Sequence, residues 1–320
     1  MGKTKVTLGI DIGGTNTKFG LVDESGGIII HNTLPTNSMD PAEDLFKRLF
    51  EKFNSEYEIR KDKYELAGIG AGAPNANYYR GTVENPPNLN WGVVDLKSLV
   101  EKYYDLPVAV TNDANAAALG EMMFGTAKGM KNFIQITLGT GLGSGIVVDG
   151  NLLYGYSGFA GEMGHVIVIR DGRKCGCGRR GCLETYVSAP GLTRTLHELL
   201  ADSNEPSVLR EKSFNEINSK TIYEAAMTGD KIAQSAFKFT GKILGEAMAD
   251  AVAYLSPEAI ILFGGLANAG DLLLNPVNKH FENNLLSFYK GKIKILSSGL
   301  PEGYAAILGA SALIWHELGN

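Results

Sequence analysis

A chain of 320 residues is longer than one small core can organise, so two lobes are the default expectation. Its 30 basic and 35 acidic residues leave a net charge of −5, which excludes a nonspecific nucleic-acid binder and gives no membrane-surface signal. No run of about 18 apolar residues marks a membrane span, and Met1-Gly2-Lys3-Thr4-Lys5 leads straight into a strand without an apolar leader core, so neither a membrane anchor nor a signal peptide is expected.

In chain order, an apolar run at residues 6–10 ends in Asp11-Ile12-Gly13-Gly14-Thr15-Asn16-Thr17-Lys18, and apolar runs at 19–22 and 27–34 follow across a glycine turn. This reads as three strands with a carboxylate at the first turn. Residues 41–56 read as a helix with Asp40 as N-cap and Pro41 at its first position. A strand at 66–71 opens into Gly72-Ala73-Pro74-Asn75, and 85–91 is a polar, proline-rich loop. A strand at 107–111 ends on Asn112-Asp113-Ala114-Asn115, and an alanine-rich helix follows at 114–123. The opening pattern then returns: a strand at 133–138, the turn Gly139-Thr140-Gly141-Leu142-Gly143-Ser144-Gly145, and a strand at 146–149. At an offset of 126, Gly13 falls on Gly139, Val22 on Val148 and Asp23 on Asp149, which implies an internal duplication of two lobes. Helical periodicity covers 189–200 and 230–255, the latter stopped by Pro257. A strand at 259–263 ends in Gly264-Gly265, another covers 292–296, and a last helix spans 304–318. The whole is α/β.

Three motifs carry chemistry. The segment 157–184 holds all three cysteines, Cys175, Cys177 and Cys182, with His165 ten positions upstream. Three thiolates and an imidazole match a closed Cys3His zinc site, structural because no position is left open. An odd cysteine count committed to one site argues against disulfides and for a reducing compartment, the cytoplasm. Such a metal would hold Glu162, His165 and Glu184 in place. Arg173, Lys174, Arg179 and Arg180 on the same loop read as solvated charges. The two glycine turns are phosphate candidates, since a tight turn exposes backbone N–H groups. Neither fits a Walker loop or G-x-G-x-x-G. Asp11 beside a polyphosphate makes sense with Mg²⁺ between them, and Thr137 takes its place in the second copy. Asn112-Asp113 is either a plain helix cap or, at an open strand end, a carboxylate able to accept a proton from a hydroxyl. With Asn88, Glu162, His165 and Glu184, Asp113 suits a neutral polyol. Trp91 reads as half-buried rather than as a stacking platform.

These residues resemble the ROK family, within the actin/hexokinase/Hsp70 superfamily. D-I-G-G-T at 11–15 resembles its first phosphate motif and L-G-T-G-L-G-S-G at 138–145 its second. G-E-M-G-H at 161–165 and C-G-C-G-R-R-G-C-L-E at 175–184 resemble its signature, with every zinc position filled.

The resemblance implies a two-lobed actin-like ATPase (ribonuclease H-like) fold with a duplicated core and an inter-lobe cleft. The expected small lobe is 1–112 plus 304–320, and the large lobe 113–303. It implies sugar contacts from Asn88, Asn112, Asp113, Glu162, His165 and Glu184, with Asp113 as catalytic base. Nucleotide contacts are expected from Asp11, Gly13, Gly14, Thr15, Asn16, Lys18, Gly139, Thr140 and Gly141, and adenosine contacts near Gly264 and Gly265. Asn75 stands where the family's turn has glycine, and no helix-turn-helix precedes the first strand, as in the kinase branch. The expected activity is ATP-dependent, Mg²⁺-assisted phosphorylation of a hexose, glucose to glucose 6-phosphate. The alternatives are an N-acetylhexosamine kinase and a silent sugar sensor. Small residues on one side of the late helices, with the family resemblance, suggest a homodimer.

Overall fold

The computed structural model describes residues 2–301 and 303–319. In the first half β1 (Thr4–Ile12), β2 (Asn16–Asp23) and β3 (Ile28–Pro35) form an antiparallel meander. After α1 (Ala42–Tyr57) come β4 (Tyr64–Gly72), a small hairpin sheet of β5 (Ala76–Asn77), β6 (Thr82–Glu84) and β7 (Val93–Asp95), then α2 (Leu96–Glu101) and β8 (Val108–Thr111). The main sheet is ordered β3-β2-β1-β4-β8, with β4 and β8 parallel to β1.

The second half follows the same plan. After α3 (Asp113–Phe124), β9 (Phe133–Leu138), β10 (Leu142–Val148) and β11 (Asn151–Leu152) form the meander. Helices α4 (Ala189–Asp202), α5 (Ser219–Met227) and α6 (Lys231–Leu255) precede β12 (Ala259–Phe263), α7 (Asp271–Asn284), β13 (Lys294–Ser297) and α8 (Ala305–Gly319). The sheet order is β11-β10-β9-β12-β13, with β12 and β13 parallel to β9. Two five-stranded sheets of equal order and sense are the duplicated core of the actin-like ATPase fold that the motifs implied.

The repeat differs by one residue. Asp11 pairs with Lys18 across the first hairpin, whereas Thr137 pairs with Gly143 across the second. The second turn is one residue tighter, so Val22 corresponds to Val147, and the expected matches Val22–Val148 and Asp23–Asp149 are one place out of register.

Each sheet has its own core. In the first, Val6, Leu8 and Ile10 bury against Phe46, Phe50 and Phe53 of α1. In the second, Ile134, Ile136 and Leu138 bury against α4, α6 and α7. On the other face of each sheet, glycines let a helix lie directly on the strands. α8 packs on β1 and β4, and α3 on β9 and β10. The two helices also pack on each other: a Cβ on Gly309 would stand 2.6 Å from the carbonyl oxygen of Ala116. The small-residue face of α8 is therefore consumed inside the chain. Likewise Gly241 of α6 lies against Pro276 of α7, where a Cβ would meet the ring at 2.7 Å. Neither face is free for a second copy.

Helix α1 starts one residue later than expected, with Pro41 at the cap and no side-chain cap bond from it. The missed helix α7 carries Pro276 inside it, which breaks the usual helical signal.

Candidate functional site

The first glycine turn closes the β1–β2 hairpin, where Gly13 N–H donates to the Asn16 carbonyl at 3.0 Å. Thr36 braces it: its Oγ1 donates to the Gly13 carbonyl at 2.7 Å and its N–H to the Thr15 carbonyl at 2.9 Å. Thr15 and Asn16 are exposed at the tip. Asn88 lies against the turn, since a Cβ on Gly14 would stand 2.8 Å from the Asn88 Cβ.

The second turn closes β9–β10, with Gly139 N–H donating to the Gly141 carbonyl at 3.0 Å. The Gly139 carbonyl in turn accepts the N–H of Ala189, the first residue of α4, at 2.9 Å. The loop after β12 abuts the same turn. Leu266 N–H donates to the Leu138 carbonyl at 3.2 Å, and Gly264 has φ +103°, open to glycine but strained for other residues. Thr140 borders a cavity of about 770 Å³ lined by His197, Phe214 and Asn218. Gly265 borders one of about 450 Å³ lined by Tyr223 and Phe237. Both cavities reach Ser219.

Between the turns stand the acids. Asp11 is the penultimate residue of β1, with Lys18 opposite it. Burial first, then the charge of Asp113, pushes Asp11 up to about 7, with Lys18 pulling the other way. Gly72 leaves room between the two acids: a Cβ there would be 3.7 Å from Asp113 Cα and 4.0 Å from Asp11 Oδ1. The structure divides the roles of Asn112 and Asp113. Asn112 is the N-cap of α3, its Oδ1 accepting from Asn115 N–H at 2.9 Å, which leaves its amide NH₂ for a ligand. Asp113 Oδ1 accepts from Ala114 N–H at 2.9 Å. Its side chain is open to solvent, yet the surrounding protein desolvates it and raises its pKa, against the pull of that hydrogen bond.

Glu162, His165 and Glu184 converge. His165 Nε2 is 4.0 Å from Glu162 Oε2, and its Nδ1 is 3.5 Å from Glu184 Oε1. Burial raises the Glu162 pKa, His165 lowers it, and Asp113 and Glu184 raise it further, so these groups share one field. Glu184 also reaches the second turn: a Cβ on Gly141 would be 3.2 Å from its Oε2.

The ligand atoms of His165, Cys175, Cys177 and Cys182 lie within 4.8 Å of one another. Cys175 Sγ is 3.7 Å from His165 Nδ1, and Cys177 Sγ is 3.6 Å from Cys182 Sγ. Zn–S bonds of about 2.3 Å at tetrahedral angles put sulfurs about 3.8 Å apart, so the set fits a zinc ion. All three cysteines are free. Gly178 and Gly181, with φ +88° and +80°, supply the turns that bring them together.

Three expectations change here. Arg173 is 6% exposed and hydrogen-bonded throughout, not a solvated charge, because α4 supplies its partners; Lys174, Arg179 and Arg180 are exposed as expected. Trp91 is fully part of the first core, with Nε1 donating to the Asp40 carbonyl at 3.0 Å. Asn75 replaces glycine without losing the turn: it holds φ +53°, and its Nδ2 donates to the Glu84 and Asn85 carbonyls at 3.2 and 3.1 Å. Sequence reasoning also missed Thr36 and Ser144. Ser144 Oγ donates to the Gly161 carbonyl and accepts Met163 N–H at 3.3 Å, fixing the loop that carries Glu162. A lone serine between Gly143 and Gly145 was its signal.

A sequence model of the ROK family matches residues 7–317. The chain belongs to the ROK family. A glucokinase of Halalkalibacterium halodurans is 39% identical over 279 residues, covering 86% of this chain and 84% of that protein. The xylose repressor of Bacillus subtilis is 30% identical, covering 99% of this chain and 79% of that one. The crystal structure of a ROK family glucokinase from Streptomyces griseus in complex with glucose and AMPPNP superimposes with a TM-score of 0.78, at 35% identity, covering 96% of this chain and 98% of that one. No helix among the described residues of this ROK chain is long and apolar enough to cross a membrane.

Proposed function

We propose that this ROK protein transfers the γ-phosphoryl group of ATP to a hexose, glucose above all, giving glucose 6-phosphate and ADP. The observation that carries the reading is Asp113, a desolvated but accessible carboxylate in the field shared with Glu162. The relatives named glucokinase support the choice of sugar.

The hexose is held by Asn88, the free amide of Asn112, Glu162, His165 and Glu184. Asp113 takes the proton of the 6-hydroxyl, and that oxygen attacks the γ-phosphorus in line as ADP leaves. A raised pKa makes Asp113 a stronger base, and such general-base help is worth about 10²–10⁴ in rate. The polyphosphate lies along the two turns at Gly13, Gly14, Gly139, Thr140 and Gly141, with the N–H groups of Gly14, Thr140 and Gly141 as donors, since those of Gly13 and Gly139 close the hairpins, and with Thr15, Asn16 and Lys18 at its edge. Adenosine follows Gly264 and Gly265 into the cavities that meet at Ser219. Mg²⁺ bound with the nucleotide would neutralise phosphate charge, and Asp11, a hard oxygen donor poised near neutrality, suits it directly or through water.

His165, Cys175, Cys177 and Cys182 hold a structural zinc. Nδ1 of His165 faces the thiols and Nε2 faces Glu162, so a metal on Nδ1 leaves Nε2–H as a donor toward the sugar side. Three free thiols fit a reducing compartment, the cytoplasm. The lobes divide as 1–112 with 304–320, and 113–303, supported by the packing of α8 on the first sheet and α3 on the second; residues 1, 302 and 320 of these ranges lie outside the described ones. The chain works as a homodimer, through a surface other than α8; the exposed Val166, Ile167 and Tyr254 beside an apolar cavity of about 350 Å³ supply one.

The test is a coupled ADP-release assay over a panel of hexoses and N-acetylhexosamines, with wild type and Asp113→Asn. Wild type turns over glucose best. Asp113→Asn still binds glucose and loses turnover; if it keeps turnover, Asp113 is not the base. Glucose binding by wild type without ADP release favours the sensor reading, which the repressor relative keeps open.

A further inference from the structure

We propose that Arg173 is a positioning residue for Glu184: a second staple, independent of metal, that fixes the sugar-facing carboxylate beside the second glycine turn. The inference rests on the kinase reading of the site. Every N–H of the Arg173 guanidinium has a partner. Nε donates to Glu198 Oε1 at 3.0 Å, and Nη2 to Glu198 Oε2 and to Thr195 Oγ1 at 2.5 and 2.8 Å. Nη1 donates to the carbonyls of Thr185 and Gly191 at 2.7 and 3.1 Å. The guanidinium also lies 4.5 Å above the Tyr186 ring, whose hydroxyl accepts the Arg173 backbone N–H at 2.9 Å.

The placement of those partners gives the residue its role. The cysteine ligands constrain the backbone as far as Cys182. Glu184 lies beyond them, in a short 3₁₀ turn (Leu183–Thr185). On the far side of Glu184 the chain is gripped by Arg173, through the Thr185 carbonyl and the Tyr186 ring, and by Ser188, whose Oγ donates to the Glu184 carbonyl at 2.7 Å, while Cys175 Sγ reaches the carboxylate itself at 2.9 Å. The same fork holds Gly191 and Thr195 of α4, the helix whose first N–H bonds the second turn. One buried cation therefore ties Glu184, α4 and the phosphate turn into a single rigid unit. Lysine cannot replace it: an ammonium has three donors on one point, while the five bonds made here use all five N–H groups of the planar guanidinium.

The experiment compares Arg173→Lys, Glu198→Gln and Glu184→Gln, alone and combined, by glucose KM and kcat, zinc content, and amide hydrogen exchange over residues 183–187. In Arg173→Lys the zinc stays at the wild-type level and exchange over 183–187 accelerates. Glucose KM rises about 10–100-fold, the usual cost of losing an orienting partner, with kcat falling less. In the Glu184→Gln background Arg173→Lys costs little more, because its effect runs through that carboxylate. Glu198→Gln, at a half-exposed site, keeps the fold and shows the same pattern more weakly, which decides the matter if Arg173→Lys does not fold. Unchanged glucose KM and exchange, or equal losses with and without Glu184, overturn the proposal. If wild type phosphorylates no sugar in the panel, the kinase reading fails, and exchange over 183–187 still decides whether the staple exists.

Discussion

Asp11 holds its proton more tightly in the folded chain than its ordinary value of 3.8 allows, because burial and the Asp113 charge disfavour the anion. The sign of the consequence is fixed. A carboxylate with a raised folded pKa contributes stability below its unfolded value, and the contribution is lost as pH rises through the folded one, here from about 4 to about 7. Asparagine has the shape of the protonated acid and no charge to lose. Metal-free Asp11→Asn should therefore gain stability over wild type between pH 5 and pH 8, by roughly 1–3 kcal/mol after allowing for partial solvation. Urea melts at the two pH values measure it, and a difference that does not change with pH refutes the assignment. The same variant should lose Mg²⁺-dependent turnover at pH 8, so stability and activity move in opposite directions, as expected where a site stores strain. In Asp113→Asn the pH dependence should narrow without vanishing, since Asp113 is the second cause of the shift and burial the first.

Among the elements, the cysteine-bearing segment 157–184 gives the clearest prediction. Metal analysis should find about one zinc per chain, and chelation should raise the glucose KM about 10–100-fold, as Glu162 and His165 lose their orientation. Unfolding should stay cooperative, because the large core does not depend on the loop; no effect of chelation on glucose KM would remove the zinc from the site's architecture. This segment was legible because its spacing is local: ligands within eighteen residues must meet. The long strands and the helices α3, α6 and α8 were legible for the same reason, their periodicity being written in consecutive residues. What was hidden depended on partners far away in the chain. Arg173 looked like a loop charge because Thr195 and Glu198, which bury it, lie beyond the loop. The tighter second turn was hidden because an offset of 126 aligns the glycines, whereas register is set by strand pairing. Short α2, α5 and β5–β7 carry too few residues for a period to show, and Pro276 concealed α7. Asn75 departs from the family's glycine, yet αL asparagine keeps the turn. Asn75→Ala, which must hold φ +53° with neither glycine's freedom nor the Nδ2 bonds, should cost about 1–2 kcal/mol, and Asn75→Gly less. Equal melting temperatures for both would contradict this.

For the whole molecule, the two halves are linked most extensively through a helix pair, beside the stacking of Tyr78 on Tyr154 and the bond from Asn77 Nδ2 to the Ser157 carbonyl. α3 leaves the first sheet and packs on the second; α8 leaves the second and packs on the first. Their crossing is closed by glycine. A Cβ on Gly120 would be 3.0 Å from Gly309 Cα, and a Cβ on Gly309 would be 2.6 Å from the Ala116 carbonyl oxygen. Backbone cannot move aside as a side chain can, so Gly309→Ala must push α3 and α8 apart. Asp113 begins α3, and Gly9 and Gly70, on the strands nearest Asp11 and Gly72, lie under α8. A shift of this pair therefore changes the distance between Asp113 and Asp11, not merely the packing. Overpacking of this kind costs about 1–3 kcal/mol in stability. If the crossing also sets the geometry of the cleft, kcat with glucose and ATP should fall by more than about tenfold at a temperature where the variant is fully folded. The separation of the two effects is the test: melting curves fix the folded fraction, and kcat is measured below the transition. A Gly309→Ala protein that is less stable but has wild-type kcat when folded would show that the crossing holds the lobes together without aligning their acids.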